Sequence, residues 1–245
     1  MTGYADAHCH LHEYSDGEAE RLAARFYIAA VSEDYESSLR TLTLAERLAS
    51  VWPCVGLHPW ELGSIENPMA EAERIASLAP RAACIGEVGL DKKFVPETYE
   101  EQLPVYRFMV DLAAENGLPV NIHSPGAWRD AYAIAARRGV DKAVFHWYTG
   151  PLDLIREIAG SGYFISVNAA IAVQEKMRRV AAETPIEYMV VESDGPYRYR
   201  GLELSPLMIP DTVKAVAELK GMEVEEAAEV LLRNTFRLYG RPRLA

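Results

Sequence analysis

The first residues able to do metal or acid–base chemistry lie near the start of the chain, in the segment DAHCHL. Asp6, His8 and His10 alternate there with Ala7 and Cys9. Successive side chains of a β-strand point to opposite faces, so a strand here would present the first three on one face. Two imidazoles on one strand face can chelate a metal ion, but an isolated His-x-His also occurs at polar strand ends, so this segment alone leaves both interpretations open.

The elements that must position these residues follow a regular order. Short apolar segments alternate along the chain with stretches that have helical spacing of apolar residues. We predict strands at Tyr4–Leu11, Arg25–Val31, Val51–His58, Ala83–Leu90, Pro119–His123, Lys142–Trp147, Tyr163–Val167 and Tyr188–Glu192. Eight strands that alternate with helices favour an α/β fold with a parallel sheet closed as a (β/α)8 barrel. An open doubly wound sheet is the alternative, although no GxGxxG or Walker loop supports it.

Most histidines fall where a barrel would place an active site, at the carboxyl ends of the strands. All of the six histidines except His12 lie at predicted strand ends, and two carboxylates join them. The set comprises His8, His10, His58, Glu87, His123, His146 and Asp194. Imidazole nitrogens and carboxylate oxygens suit a pair of divalent ions such as Zn, Mn or Mg, and one carboxylate can bridge two ions. We therefore predict a site for two divalent ions.

Three further polar residues share a strand face with this set. Asp6, Asn121 and Glu192 each precede a member of the set by two residues and so lie deeper in the predicted barrel. Groups in that position usually orient a ligand or a water and do not bind the ion themselves. We expect this supporting role for all three.

Composition limits the classes of function. The net charge of −11, from 25 basic and 36 acidic residues, argues against a broad basic surface for nucleic acid. Local contact with phosphates stays possible because bound divalent ions add positive charge. No apolar run is long enough to cross a membrane, and the N-terminus lacks the pattern of a signal peptide. Cys9, Cys54 and Cys84 form no CxxC pair, so we expect three reduced thiols in a cytoplasmic protein.

Six segments together resemble the TatD family of metal-dependent deoxyribonucleases. They are DAHCHL, VGLHPW, IGEVGLD, VNIHS, VFHWYTG and VESDGPY, which follow the order and spacing of that family. The resemblance runs from Asp6 to Tyr239 and includes the closing helix with Asn234 and Phe236. It implies a distorted TIM barrel of the amidohydrolase-like superfamily, with residues 1–245 as a single domain. It also implies metal-dependent hydrolysis of DNA phosphodiester bonds.

The resemblance further implies which residues hold each ion. The first ion would take His8, His10, Glu87 and Asp194, and the second Glu87, His123 and His146. Glu87 would then bridge the two ions. Asp194 is the candidate to accept a proton from the attacking water, so Glu87 and Asp194 are the predicted catalytic residues.

Substrate contacts are predicted from loops that follow the strands. Aromatic side chains there could stack on the bases of a single strand or a frayed end, and basic ones could meet phosphates. The predicted contacts are His58, Lys92, Trp147, Tyr148, Tyr197 and Arg198. This mouth departs from the family pattern, because Pro125 replaces the arginine usual after His123 and Trp147-Tyr148 replaces a Cys-Phe pair.

Two other functions stay open at this point. One is an amidohydrolase-type enzyme that cleaves a small-molecule amide, lactone or phosphoester with the same metals. Such enzymes often bridge their ions with a carboxylated lysine where this chain has Glu87, so the nuclease interpretation leads. The other is a metal-binding subunit of a larger complex. We expect DNA as the substrate, gripped locally, and no membrane partner.

Overall fold

The computed structural model describes residues 3–241, and eight parallel strands form its main sheet in chain order. They are β1 (Ala5–Cys9), β2 (Tyr27–Ala30), β3 (Val51–Val55), β4 (Cys84–Gly89), β5 (Val120–His123), β6 (Ala143–Phe145), β7 (Phe164–Val167) and β8 (Met189–Val191). Each lies within its predicted range. The sheet curls into a nearly closed barrel, because the N–H of His10 donates to Gly195 O at 2.8 Å and the N–H of Asp194 donates to His8 O at 3.0 Å. The predicted (β/α)8 barrel is confirmed.

Nine helices surround and follow the strands in the described part of the chain. They are α1 (Asp16–Ala23), α2 (Tyr35–Arg47), α3 (Pro68–Ala76), α4 (Tyr99–Asn116), α5 (Trp128–Arg137), α6 (Leu154–Gly160), α7 (Glu175–Glu183), α8 (Ile209–Lys220) and α9 (Val224–Tyr239). Two short strands, β9 (Tyr197–Tyr199) and β10 (Leu202–Leu204), form a hairpin after β8. None of the described helices has both the length and the apolar character that a membrane crossing needs.

The strands are buried on both faces, which explains why they read as apolar runs. Every residue of β1, β4 and β5 is buried, as expected of a parallel sheet covered by helices. The pairing is irregular at two places, between Asp6 and Cys9 of β1 and between Ile85 and Val88 along β4. These intervals contain His8 and Glu87. Local register breaks of this kind re-aim side chains and are common next to active sites.

The cysteines differ from the expectation. Cys54 of β3 and Cys84 of β4 are register partners, with Cα atoms 4.5 Å apart, and they form a disulfide. The prediction of three reduced thiols is therefore wrong for this pair, and cysteine content no longer supports the cytoplasmic expectation. Spacing along the chain could not reveal the pair, because the register of two neighbouring strands brings the thiols together. Cys9 is free and buried.

Helix α9 holds the seam where the barrel closes. The side-chain amide of Asn234 donates to Ile186 O at 2.6 Å and to Met189 O at 2.8 Å, at the start of β8. At the end of the same helix, the hydroxyl of Tyr239 donates to Ala7 O of β1 at 2.8 Å. One helix thus fixes both strands of the seam.

We expect Asn234→Ala to destabilise the fold. Asn234 is buried, and its loss removes a donor from two main-chain carbonyls, which should lower the free energy of unfolding by about 2–3 kcal/mol. Urea denaturation of the metal-free protein measures the change. Asn116→Ala is the matched control, because Asn116 is exposed and donates to a single carbonyl, Leu112 O. Equal effects of the two substitutions would contradict the role assigned to Asn234.

Candidate metal centre

Glu87 lies at the centre of the histidine cluster. It projects from β4 and is only 1% exposed. Its Oε1 faces three ring nitrogens: His146 Nε2 at 2.8 Å, His123 Nδ1 at 2.9 Å and His58 Nε2 at 3.2 Å. These rings come from the ends of β3, β5 and β6, which the barrel places on the same rim.

The other carboxylate oxygen of Glu87 faces a second group of ligand atoms. Oε2 lies 3.3 Å from His8 Nε2 and 3.5 Å from His10 Nε2. Asp194, which follows β8, places its Oδ1 3.1 Å from His8 Nε2 and 3.5 Å from His10 Nε2. The two oxygens of Glu87 therefore serve two separate groups of side chains.

Glycines allow the strands that carry these groups to approach closely. A Cβ on Gly86 would lie 2.6 Å from the Cβ of Asn121, and a Cβ on Gly89 would lie 1.8 Å from His123 O. Neither position has room for a side chain. The glycines on either side of Glu87 thus let β4 sit against β5, so that the carboxylate and His123 meet.

Electrostatics keeps the carboxylates ionised. Burial alone would raise the pKa of Glu87, but nearby imidazoles, with His146 contributing most, hold it well below its usual range. Burial likewise raises the pKa of Asp194, and hydrogen bonds from His10 and His8 outweigh that effect and lower it. In return, Glu87 overcomes the effect of burial on His146 and raises the pKa of that imidazole to about 9. The pKa values of His8 and His10 are raised as well, so protons on these three rings supply the positive charge that the buried carboxylates need.

The donor set fits divalent ions. His8 Nε2 lies 3.3 Å from His10 Nε2, and His123 Nδ1 lies 3.1 Å from His146 Nε2. Nitrogen lone pairs that face each other repel unless a proton or a cation lies between them. Two groups of side chains have ligand atoms close enough to share an ion. One group is His8, His10 and Asp194, and the other is His58, Glu87 and His123. An ion that displaced the ring protons would restore the same balance of charge.

The structure brings all six predicted metal ligands together, and it adds His58 to them. His58 was assigned to substrate contact, and it both touches Glu87 and lines the cavity described below. Asn121, predicted to support a ligand, contacts a ring of the cluster: its Oδ1 lies 2.9 Å from His8 Nδ1, while its Nδ2 donates to the hydroxyl of Tyr239 at 2.9 Å. With Nδ1 held by an acceptor, Nε2 is the nitrogen of His8 that faces the centre.

Asp6 and Glu192 act through the backbone more than through histidine rings. Asp6 Oδ1 accepts hydrogen bonds from the N–H of His8 at 3.2 Å and of Ser193 at 2.9 Å, which joins the ends of β1 and β8. Glu192 accepts from the N–H of Trp147 at 2.9 Å, while His146 Nδ1 is 3.7 Å away. These carboxylates hold the loops that carry the ligands.

Two carboxylates escaped the sequence analysis. Asp91 Oδ2 lies 2.9 Å from His123 Nε2 and accepts from Trp60 Nε1 at 2.7 Å. Burial would raise its pKa, but these hydrogen bonds lower it to about 2. Glu33 lies 3.5 Å from His10 Nδ1. Two features of the sequence could have identified them. Asp91 ends the segment IGEVGLD, and Glu33 follows β2, a predicted strand to which no polar residue had been assigned.

A cavity of about 290 Å³ opens above the cluster. Aromatic side chains dominate its rim, and those that line it are Trp60, Phe94, Trp128, Trp147, Tyr197 and Tyr199. Trp147 and Tyr197 were predicted substrate contacts. Tyr148 is fully buried, and its hydroxyl donates to Pro151 O at 2.7 Å. Its predicted role in stacking is therefore wrong, because consecutive residues of this loop point to opposite sides.

The predicted basic contacts lie away from this cavity. Lys92 pairs with Asp130 at 2.6 Å, and the highly exposed Arg198 pairs with Glu203 at 3.1 Å. Neither lines the cavity, whereas Lys93 does. The expectation that Lys92 and Arg198 meet phosphates near the cluster is therefore wrong, whereas Lys93, a candidate from the same loop, stays a prediction.

Comparison with known proteins decides the family. The family described as TatD related DNase matches residues 5–240. The chain belongs to the TatD family. It is 28% identical to the human deoxyribonuclease TATDN3, over 99% of this chain and 96% of that protein. It is 30% identical to an uncharacterized metal-dependent hydrolase of Escherichia coli K12, YcfH, over 96% and 94% of the two chains.

Solved structures agree with this membership. The crystal structure of YJJV, a TatD homologue from Escherichia coli K12, superposes with a TM-score of 0.88 at 25% identity and covers 98% of this chain and 99% of its own. A TatD-family hydrolase from Entamoeba histolytica shares the fold, with a TM-score of 0.80, 18% identity and coverage of 96% and 97% of the two chains. This TatD-family chain is therefore a metal-dependent hydrolase with candidate ligands that converge on Glu87.

We expect Glu87→Gln to lose most bound metal. The amide carries no charge and would present an NH2 group to ring nitrogens, so both groups of ligands lose their shared anion. Elemental analysis after reconstitution with Zn²⁺ or Mn²⁺ and dialysis measures the content. Glu36→Gln is the control, because that side chain is 79% exposed. Equal metal content in the two variants would show that Glu87 does not bind the ions.

Proposed function

We propose that this chain is a deoxyribonuclease that uses two divalent ions to hydrolyse phosphodiester bonds at DNA ends or in single strands. The observation that carries the proposal is the position of Glu87, whose two oxygens each face ring nitrogens at 3.5 Å or less, on separate sides. A carboxylate between two ions needs this arrangement. A relative named deoxyribonuclease over nearly its whole length supports DNA as the substrate.

The two ligand groups would hold the ions. His8, His10 and Asp194 with Glu87 suit one of them, and His123 and His146 with Glu87 the other, with Zn, Mn or Mg as the candidate metals. When bound, such ions lower the pKa of water and offset the negative charge that develops on phosphate oxygens. His58, 3.2 Å from Glu87 Oε1, stands ready as a further ligand or as a contact to substrate.

The side chains of the chain then have distinct roles. Asp194 is ionised and lies at the edge of the cavity, so it can accept the proton of the attacking water. Glu87 fixes the separation of the ligand groups. Asn121 and Asp91 hold the rings of His8 and His123, which keeps their nitrogens directed at the centre.

The rim of the cavity suits unpaired bases. Trp147 packs edge-on against Tyr199 and Tyr197, with ring centroids 5.0 and 6.0 Å apart, and Trp60 packs in the same manner against Phe94 at 5.8 Å. Bases stack on such rings with little dependence on sequence. A base is free to stack there only when it is unpaired, which favours single strands and frayed ends.

One observation favours a second candidate, a hydrolase of a small-molecule amide, lactone or phosphoester. Among the described residues, Lys93 is the single lysine or arginine that lines the cavity, and Glu13 and Glu33 line it as well. A cavity with this lining attracts polyanions weakly. An uncharged or singly charged substrate would meet less repulsion.

A metal-titrated assay on end-labelled DNA tests the main proposal. We expect the parent protein to degrade single-stranded DNA only when a divalent ion is present, and Glu87→Gln to lower the rate by about 10²-fold or more. Cys9→Ala should keep the parent rate, because Cys9 is buried in the core and its thiol donates to Gly195 O. If DNA stays intact with every metal while an amide, lactone or phosphotriester is cleaved, the second candidate holds.

Salt dependence tests how the DNA is gripped. With few phosphate contacts, log(1/KM) for a single-stranded oligonucleotide should fall with log salt with a slope of about −1.5 to −2. Lys93→Ala removes the basic side chain of the cavity and should flatten the slope by about 0.7. Arg198→Ala should leave it unchanged, since Arg198 is paired with Glu203 outside the cavity. A slope near −5 in the parent would show that the DNA is bound by contacts outside this cavity. A slope that changes with Arg198→Ala but not with Lys93→Ala would show the same.

A further inference from the structure

A second cluster of ligand atoms lies beside the centre, at the rim of the cavity. His10, His12, Glu13 and Glu33 place ring nitrogens and carboxylate oxygens within 4.8 Å of one another. His12 and Glu13 belong to the short 3-10 turn after β1, and Glu33 follows β2. Glu13 is exposed and Glu33 is partly exposed. Neither the metal centre nor the proposed reaction uses His12 or Glu13, and Glu33 meets the centre only at the Nδ1 of His10.

The orientation of His12 makes its outer nitrogen an acceptor. Nδ1 lies 3.2 Å from Val31 O, and a carbonyl can only accept, so Nδ1 carries the proton of the neutral ring. Nε2 then presents a lone pair, and it faces Glu33 Oε2 at 3.6 Å. Two acceptors that face each other need a positive charge between them. Ligands on one Zn²⁺ ion lie about 3.3 Å apart, given bonds of about 2.0 Å and tetrahedral angles, so this spacing suits a shared cation.

A second observation comes from the neighbouring ring. His10 directs Nε2 to the centre at Glu87, while its Nδ1 is buried and has no hydrogen-bond partner. That Nδ1 lies 3.5 Å from Glu33 Oε1. Glu33 therefore has one oxygen on the side of His10 and the other on the side of His12, and neither is tied up by a lysine or arginine among residues 3–241.

We propose that His12, Glu13 and Glu33 bind a third divalent cation, separate from the two at Glu87 and more open to solvent. His12 Nε2 and Glu33 Oε2 are its inner ligands, and the exposed carboxylate of Glu13 completes the protein side. Because Glu13 and Glu33 line the cavity, the remaining coordination positions are open to a ligand that enters there. A phosphate oxygen is the ligand that such a position takes most readily from DNA.

This cation explains how a polyanion enters an acidic mouth. The cavity has two carboxylates at this edge and Lys93 as its basic residue, so without further positive charge a phosphate next to the reacting one is repelled. A divalent ion at Glu13 and Glu33 reverses the sign of this edge. The docking role rests on the proposed nuclease function, whereas the binding of the ion does not.

Metal binding by the whole protein is the primary test. Equilibrium dialysis against rising Mn²⁺, with elemental analysis, should show about three ions per chain, the two of a two-metal site and a weaker third. His12→Asn is the sharpest variant, because the asparagine amide can take the place of Nδ1 and keep the bond to Val31 O while Nε2 is lost. It should lose the third ion and keep the other two. Glu13→Gln, at an exposed position, should do the same.

The controls separate this site from general acidity. Glu36→Gln removes an exposed carboxylate and should keep all three ions. Two ions in the parent at every Mn²⁺ concentration, or a third ion that survives both His12→Asn and Glu13→Gln, would overturn the proposal.

A second arm tests the docking role. In saturating Mn²⁺, His12→Asn should raise the KM for a single-stranded oligonucleotide by about tenfold, the worth of one charge-assisted phosphate contact, with a smaller change in kcat. An unchanged KM with a lost third ion would overturn the docking role. If the parent protein cleaves no DNA, the proposed function fails, while the ion count still decides whether the site exists.

Discussion

Buried negative charge without a lysine or arginine beside it is the constraint on which this structure depends. Glu87 and Asp194 are almost fully buried, and within residues 3–241 their ion pairs are formed only with histidines. Burying a carboxylate is costly unless cations and hydrogen bonds compensate it. The barrel meets this cost by turning ring nitrogens from several strand ends toward one point. The ring nitrogens that face these carboxylates are the same ones that a divalent ion would bind.

Such a cluster needs rings that cannot turn, and the outer layers of the fold supply that rigidity. Tyr239, from the last helix, reaches through Asn121 to the ring of His8. Asp91 holds His123 and is itself held by the indole of Trp60. Hydrogen-bonded networks of this kind orient ligands and tune their basicity. The packing of α9 is thereby coupled to the candidate metal centre.

The mouth of the barrel combines aromatic surface with acidic residues, in keeping with a chain of net charge −11. Affinity for DNA in most nuclease-sized interfaces comes from many phosphate contacts with basic side chains. In the nuclease that we propose, stacking and bound cations carry more of the affinity. Such a balance favours short, unpaired segments over long duplexes, because each unpaired base adds a stacking partner at the rim.

The sequence by itself determined the barrel and the residues that cluster at one of its rims. Strands buried on both faces appear as apolar runs in the sequence. Because parallel topology places the carboxyl ends of all strands on one rim, the polar residues that follow those runs must lie near one another. It could not determine contacts that depend on register or on loop conformation. The Cys54–Cys84 pair follows from how β3 and β4 align, and the engagement of Asp91 and Glu33 follows from how their loops fold back. Lys93 faces the cavity where Lys92 turns to Asp130, because side chains in irregular loops have no fixed periodicity. Only the tertiary structure decides such directions.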